Sequence, residues 1–374
     1  MKGKTFLILL VATGLLLAFW FFHFGKDEHT GQVKMGDKLF ADLPVNAVTT
    51  VTIVDSENRV VLVKGDKVWQ VEDRVGYPAD FDQLRELVVK LSRLKIGRSF
   101  SASTESLIRL SLMAPSATDT SSTGKQITLT DASGTILADV ILGQSRETDS
   151  GEGGGQYLKK GDADTVFLVD GSFRFLKTEP AQWLKKEILN VNAEEVKSVS
   201  CYTGDARTPV YTLLRPDRGE MARMTPVPPG RTADPAKIDQ VLDALAPLTL
   251  DDVQAADGKL AVQESAWPRL VYDLYDGRQI SIFPTFDGKE SYTLRVTAED
   301  SMTPTQAASA PESQPVDEKT KAEETAAPTP KSAQQLNEAL SPWVFSIKKW
   351  QFDSFITQPG ALLEEVKKKD EGTS

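Results

Sequence analysis

Side chains able to carry out nucleophilic or metal-dependent catalysis are scarce in this chain. Of its 374 residues, two are histidines, His23 and His29, and one is a cysteine, Cys201. Ser-His-Asp and Cys-His catalysis both need an imidazole beside the nucleophile, and His-based metal sites need several ligands. Because both histidines lie near the start, the body of the chain has neither arrangement. Cys201 falls within a strand pattern, so we expect a small buried core residue.

Carboxylates are the remaining candidates for acid–base chemistry. A glycosidase needs two of them on either side of the bond it breaks. Asp80 and Asp234 occupy matching positions in the two halves of the chain, but each precedes an amphipathic pattern and is predicted to cap a helix. We therefore predict no catalytic, metal-binding or cofactor-binding residue and no cofactor, and we expect a protein that is not an enzyme. A carboxylate-dependent hydrolase is the least favoured alternative.

A glycine-rich run and the tryptophans are the other features of functional interest. A phosphate-binding loop leads into a helix N-terminus, whereas residues 151–155 lead into a strand pattern at Gln156, which predicts a hairpin loop. Tryptophans mostly fill cores, and neighbouring exposed ones would instead favour carbohydrate or peptide binding. We expect core positions for Trp69, Trp183, Trp267, Trp343 and Trp350.

The first residues of the chain form a long apolar run. Residues 6–24 are interrupted only by Thr13, Gly14 and His23. Nineteen residues of helix rise roughly 28 Å, which matches the hydrocarbon thickness of a bilayer. Lysines precede the run and bulky aromatic residues follow it, so a retained anchor is favoured over a cleaved signal peptide. We expect a single-pass membrane protein with a cytoplasmic N-terminus and a body on the other side of the membrane.

The sequence pattern of the body of the chain predicts two copies of one structural unit. Residues 76–80 match residues 230–234, and each segment leads into apolar residues at helical spacing. Asp80 and Asp234 are the predicted N-caps, and Gln83 is positioned to complete a capping box. Alternating strands precede and follow each helix. The order predicts an α+β fold, in which an N-terminal transmembrane helix is followed by two duplicated modules, each an antiparallel sheet packed on an amphipathic helix.

The duplication also sets the predicted domain limits. Residues 301–335 are rich in Ala, Pro, Thr, Glu and Ser, a composition that predicts disorder. Alignment with the first copy makes this segment an insertion, so the strand over 344–347 should return to the sheet beside Tyr292. The predicted limits are 1–25 for the tip and anchor, 26–40 for a linker, 41–190 for module 1, 191–360 for module 2 and 361–374 for a charged tail.

The charge balance excludes one class of partner. The formal net charge is −10, and no basic stripe occurs in the sequence. Nucleic acid is therefore not expected to bind, because neutralising its phosphates requires clustered Lys and Arg.

Six parts of the sequence carry a resemblance: residues 69–71, 78–80, 84–94, 127–143, Tyr157 and 166–170. Together they resemble the bacterial domain-of-unknown-function family 4340. The resemblance is strong over about residues 40–200 and looser in the second copy. It implies an N-terminal anchor, an extracytoplasmic body and a role as an accessory component beside ABC transporters of the gliding-motility type. It implies no activity and no catalytic residue.

These observations favour a non-enzymatic accessory or scaffold component of an ABC-type transport system. Its expected partners are the membrane and a permease or auxiliary subunit, which it would contact through the paired modules. A periplasmic module that binds glycan or peptide is the alternative.

Overall fold

The fold is mostly β. The computed structural model describes residues 34–116, 121–146, 154–256, 267–301 and 332–365. Of these, 40% lie in strands and 21% in helices, so the predicted α+β class is wrong. Strands of two or three residues are too short to show a hydrophobic period, which is why the sequence pattern understated the sheets. Within the described ranges no helix has the length and apolarity to cross a membrane; residues 6–24 lie outside them.

The elements are numbered here in chain order. The helices are α1 (Phe81–Arg93), α2 (Thr104–Arg109), α3 (Pro235–Leu242), α4 (Ala333–Leu340) and α5 (Lys349–Phe352). The strands are β1 (Thr50–Val54), β2 (Arg59–Lys64), β3 (Trp69–Val71), β4 (Tyr77–Pro78), β5 (Ile96–Ser101), β6 (Lys125–Thr130), β7 (Ile136–Ser145), β8 (Gln156–Lys160), β9 (Thr165–Val169), β10 (Glu187–Leu189), β11 (Val196–Tyr202), β12 (Tyr211–Leu214), β13 (Arg223–Thr225), β14 (Arg231–Ala233), β15 (Leu248–Thr249), β16 (Asp252–Ala255), β17 (Arg269–Leu274), β18 (Arg278–Phe286), β19 (Tyr292–Asp300), β20 (Trp343–Ser346) and β21 (Leu363–Glu365).

Contacts within the chain divide it into two compact units. The first contains the described part of Met1–Arg59 together with Arg85–Leu176, and the second contains Val60–Leu84 together with the described part of Lys177–Ser374. The domain limits drawn from the sequence stay predictions.

The first unit is built on six antiparallel strands. They pair in the order β1-β6-β7-β8-β9-β5. Ile53 of β1 lies opposite Ile127 of β6, and both side chains are fully buried. A second apolar group, with Leu107, Leu112 and Ile141 at its centre, packs α2 against the sheet.

The second unit repeats this arrangement. Its largest sheet has the order β13-β12-β11-β17-β18-β19-β20-β16. The last six strands follow the connectivity of the six in the first unit, which confirms the predicted duplication. Cys201 of β11 faces Leu270 of β17 at the position that corresponds to Ile53 and Ile127. The unit also contains the ladders β2-β3-β4, β10-β15 and β14-β21.

The two predicted helix N-caps are confirmed. Asp80 Oδ1 accepts the backbone N–H of Gln83 at 3.1 Å, and the Asp234 carboxylate accepts two first-turn N–H groups. The capping box predicted at Gln83 is wrong. Its Nε2 instead donates to the Gln182 carbonyl at 3.3 Å, and its Oε1 accepts Lys177 Nζ at 2.6 Å.

The predicted insertion interrupts the second sheet as expected. β20 pairs with β19, Leu294 lying opposite Phe345, so the strand does return beside Tyr292. Residues 302–331 lie outside the described residues. α4 begins at Ala333, and a capping box between Ser332 and Gln335 starts it, so the last residues of the predicted segment are helical.

Residues 60–84 join the second unit through specific contacts. Arg74 binds Asp252 through two hydrogen bonds, Nε to Oδ1 at 2.6 Å and Nη2 to Oδ2 at 3.0 Å. The Tyr77 ring packs edge-on against Trp343 and Phe345, with centroids 5.2 and 6.2 Å away. These partners fix β4 and the start of α1.

Candidate binding surface

The residues singled out for chemistry in the sequence have structural roles in the fold. Asp80 and Asp234 cap helices. Cys201 is fully buried, as predicted, and burial raises the pKa of its thiol to about 11. Of the glycine run, 151–153 lie outside the described residues, and the hairpin strand β8 begins at Gln156 as expected. In the described ranges no group of three or more His, Cys, Asp or Glu is placed to hold a metal.

The tryptophans differ in burial, and Trp69, Trp267 and Trp343 are half-buried rather than fully in the core. Trp183 is buried and its Nε1 donates to the Lys177 carbonyl at 3.1 Å, so a core role is confirmed there. Trp350, on α5, is 62% exposed, so the expected core position is wrong for this residue. Trp350 lies two residues before Phe352 on the same helix.

Three aromatic rings form a cluster near α5, here called the aromatic cluster: Phe286, Tyr292 and Phe352. Phe286 and Tyr292 are the last cross-strand pair of β18 and β19, and their rings stack with centroids 4.8 Å apart and planes 13° apart. Phe352 lies 5.1 Å from the Tyr292 ring and 6.4 Å from the Phe286 ring. Phe286 is 47% exposed, so the cluster presents a ring face to solvent.

The turn between β18 and β19 fixes the stacked pair. Asp287 Oδ1 accepts the backbone N–H groups of Lys289 at 2.8 Å and Ser291 at 3.1 Å. Gly288 has φ +81°, a left-handed conformation that glycine adopts without a steric penalty. The Lys289 N–H bond is the main cause of a lowered pKa at Asp287, so this carboxylate stays charged at neutral pH. A rigid turn therefore holds Phe286 and Tyr292 in register.

An open groove lies against Tyr292. Its volume is about 800 Å³. Three carboxylates and one ammonium line it, which makes its wall negative, and Lys186 Nζ is held at its edge by the Asp251 carbonyl at 2.9 Å. Burial lowers the pKa of Lys186. The lining residues are Asp251, Asp287, Lys289, Glu290, Ser291, Tyr292, Ser346 and Ile347.

This surface has the chemistry of a recognition site. Aromatic faces stack on sugar rings, apolar side chains or cations, and carboxylates accept hydrogen bonds from hydroxyl and amino groups. Lys349 shows the cation–π geometry within the chain itself, with Nζ 5.9 Å from the Tyr292 ring centroid. The groove and the aromatic cluster can therefore bind a partner without any catalytic step.

Sequence reasoning missed the aromatic cluster. Asp287 and Gly288 are typical of a two-residue hairpin loop, which would pair Phe286 with Lys289. The loop instead spans residues 287–291 and pairs Phe286 with Tyr292, so this signal predicts the hairpin but not the stacked rings. Phe352 comes from a distant part of the chain, and no local pattern indicated its position.

Comparison with models of known protein families identifies the family of this chain. A family model described as "Domain of unknown function (DUF4340)" matches residues 69–264, just over half of the chain. The chain belongs to this family. The DUF4340 match starts at β3 in the first repeat and ends after β16 in the second, so Phe286, Tyr292 and Phe352 lie beyond it. Comparisons with curated proteins and with solved structures gave no match.

Proposed function

We propose that this DUF4340 protein is a non-enzymatic binding protein of the bacterial cell envelope. Its apolar segment 6–24 retains it at the inner membrane, with the body on the periplasmic side. Its partner is a membrane protein, an ABC-type permease or auxiliary subunit, in line with the resemblance noted from the sequence. Tethering to the same membrane raises the effective concentration of the two proteins and favours a contact of modest affinity.

One observation carries this proposal, the exposed aromatic surface of the second unit. Trp350 is 62% exposed and Phe286 is 47% exposed, and the groove beside the aromatic cluster has charged residues along its wall. Protein interfaces concentrate their binding energy in a few aromatic anchors that are surrounded by a polar rim. An isolated exposed aromatic residue needs no explanation, but stacked rings held by a rigid turn supply a preformed anchor.

A second candidate function rests on the groove itself. Carboxylates such as Asp251 and Glu290 lie along the same groove as the Tyr292 ring. Sugar hydroxyls donate to carboxylates, and the apolar faces of sugars stack on aromatic rings. A periplasmic glycan-binding module is therefore the alternative, and the same variants test it.

The experiment is crosslinking and co-purification of the tagged full chain from native membranes. The wild type should recover a transporter subunit, and the double variant Phe286→Ala/Trp350→Ala should recover at least about tenfold less of it, equivalent to about 1.4 kcal/mol. Phe175→Ala is the matched control, because Phe175 is an exposed aromatic residue (89%) of the first unit.

Two outcomes would overturn the partner proposal. One is equal recovery of the same subunit from the wild type and from the Phe286→Ala/Trp350→Ala variant. The other is retention of peptidoglycan by the purified full chain, abolished in that variant while no membrane protein is recovered; this result would favour the glycan-binding function.

A further inference from the structure

A cavity lined by both polar and apolar groups lies in the first unit, at the end of the sheet that corresponds to the groove of the second unit. Its volume is about 370 Å³. The end of β7 and the start of β8 form one side, and the chain that follows β9 forms another. The lining residues that matter for its chemistry are Asp55, Ser111, Lys125, Ser145, Gln156 and Arg174.

The walls of this cavity are held by buried polar contacts. Gln156 is 5% exposed, its Nε2 donates to the Gly143 carbonyl at 2.8 Å, and its Oε1 accepts the Phe173 N–H at 2.6 Å. Lys125 Nζ donates to the Leu176 carbonyl at 2.8 Å. The loop that carries Arg174 is therefore fixed to β6 and β8 by side chains, so the cavity keeps its shape without a ligand.

A second wall is held by close backbone packing. A Cβ added to Gly143 would lie 2.3 Å from the Leu110 carbonyl oxygen, and one added to Gly124 would lie 2.5 Å from that of Leu142. Ser111 has φ +53°, a conformation that side-chain-bearing residues rarely adopt. Such backbone strain persists only where surrounding contacts impose it, and it concentrates at ligand sites.

The charges on the lining favour an anion. Lys125 and Arg174 bring two positive charges to the cavity. Asp55 brings one carboxylate, and its Oδ1 already accepts the backbone N–H groups of Glu57 at 2.9 Å and Asn58 at 2.7 Å. The cavity is thus net positive in a protein whose formal net charge is −10. Arg and Lys donors at a hydroxyl-lined site match a carboxylate group.

We propose that this cavity binds a small organic anion through its carboxylate group. Arg174 and Lys125 supply charge-assisted hydrogen bonds, and Ser145, whose Oγ is hydrogen-bonded to Ser172 Oγ at 3.2 Å, adds a hydroxyl to the lining. The ligand is a free small molecule, since the cavity is about 370 Å³ in volume and its fixed walls suit a compact group. The inference is independent of the groove in the second unit, because it uses none of the residues proposed to bind the membrane partner.

The test is calorimetric titration of the purified full chain with succinate at constant ionic strength, with the neutral diamide succinamide as the control ligand. Succinate should bind and succinamide should not. Arg174→Ala should weaken succinate binding at least about tenfold, the loss expected for a charge-assisted hydrogen bond. The matched control is Arg98→Ala, because Arg98 is an exposed arginine of the same unit that does not line the cavity.

Lys125→Met serves as a second variant, read together with its urea midpoint, because Lys125 also holds the Leu176 carbonyl. It should weaken succinate binding by a similar factor. The proposal is overturned by equal heats for succinate and succinamide. It is equally overturned if Arg174→Ala binds succinate as tightly as the wild type does, a result that does not depend on the folding of the Lys125 variant.

Discussion

The two units differ in the residues at the end of one corresponding strand pair, which is β7–β8 in the first unit and β18–β19 in the second. The last cross-strand pair of β7 and β8 is Ser145 with Gln156, and that of β18 and β19 is Phe286 with Tyr292. The polar pair faces a cavity, and Gln156 uses both ends of its amide to hold neighbouring backbone. The aromatic pair stacks ring on ring and leaves Phe286 in water.

The segments that follow the last strands differ in the same sense. Phe173, after β9, is buried and lies under Lys90, whose Nζ is 4.8 Å from the ring centroid. Trp350, after β20, is 62% exposed. The segment after β9 thus turns its aromatic residue inward, and the segment after β20 turns one outward. A duplicated fold can keep its strand order and still give each copy a different surface, because the sheet depends on the core and not on its end residues.

The largest effect is expected from Gln156→Leu. The change leaves the Gly143 carbonyl and the Phe173 N–H without their partners in the interior, so the free energy of unfolding should fall by about 2–4 kcal/mol. Tyr292→Leu at the matching position should cost about 1 kcal/mol, since it removes one ring stack. Urea denaturation of the full chain measures both. Gln144→Leu, at an exposed neighbour, is the control; similar losses for Gln156→Leu and Tyr292→Leu would contradict the comparison.

A transplant of the polar pair tests whether the aromatic pair serves binding. In Phe286→Ser/Tyr292→Gln the second unit carries the pair of the first. Because Phe286 is half in water, stability should fall by no more than about 2 kcal/mol, while partner recovery should fall about tenfold. Melting curves and crosslinking yields are measured on the same preparations. Unfolding of the variant together with undiminished recovery from its folded fraction would show that the pair serves stability instead.

The thiol of Cys201 reports on the opening of the second unit. It is fully buried and burial raises its pKa to about 11, so an aromatic disulfide reagent at pH 8 should modify the native chain at least about 100-fold more slowly than the urea-unfolded chain. The variant Ile53→Cys/Cys201→Ser moves the thiol to the matching position of the first unit. Comparing the two rates shows which unit opens more readily. Fast modification of native Cys201 would contradict its buried position.

The smallest effect is expected from the turn carboxylates. Backbone N–H bonds lower the pKa of Asp287 below 3.8, and a hydroxyl bond from Ser133 does the same for Asp131 in the first unit. A lowered folded-state pKa contributes stability that is present above the unfolded-state value and is lost as the pH falls through the folded-state value.

Asp287→Asn and Asp131→Asn should therefore be slightly less stable than the wild type at pH 6, and the difference should shrink toward pH 2. Urea midpoints across this range measure it. A difference that widens on acidification would show that the sign of the pKa shift is wrong.

Much of the fold could be predicted from the sequence, because caps and hydrophobic periods are local signals. The helix after Asp234 was predicted from its N-cap and its apolar spacing, and Ile238, Val241 and Leu242 of α3 are buried at that spacing. The fold class was wrong because short strands such as β4 and β16 depend on their neighbours rather than on a pattern of their own. The aromatic cluster and the anion cavity both need the register of strands, which no local signal fixes.

The contacts of residues 60–84 have a consequence for the order in which the protein is made. Arg74 and Asp252 are 178 residues apart, and the Tyr77 ring packs on Trp343 near the end of the chain. When the first repeat leaves the ribosome, these partners have not been synthesised. Residues 60–84 therefore cannot form these contacts early in translation. Tyr77 stays without its aromatic partners until Trp343 and Phe345 have been synthesised.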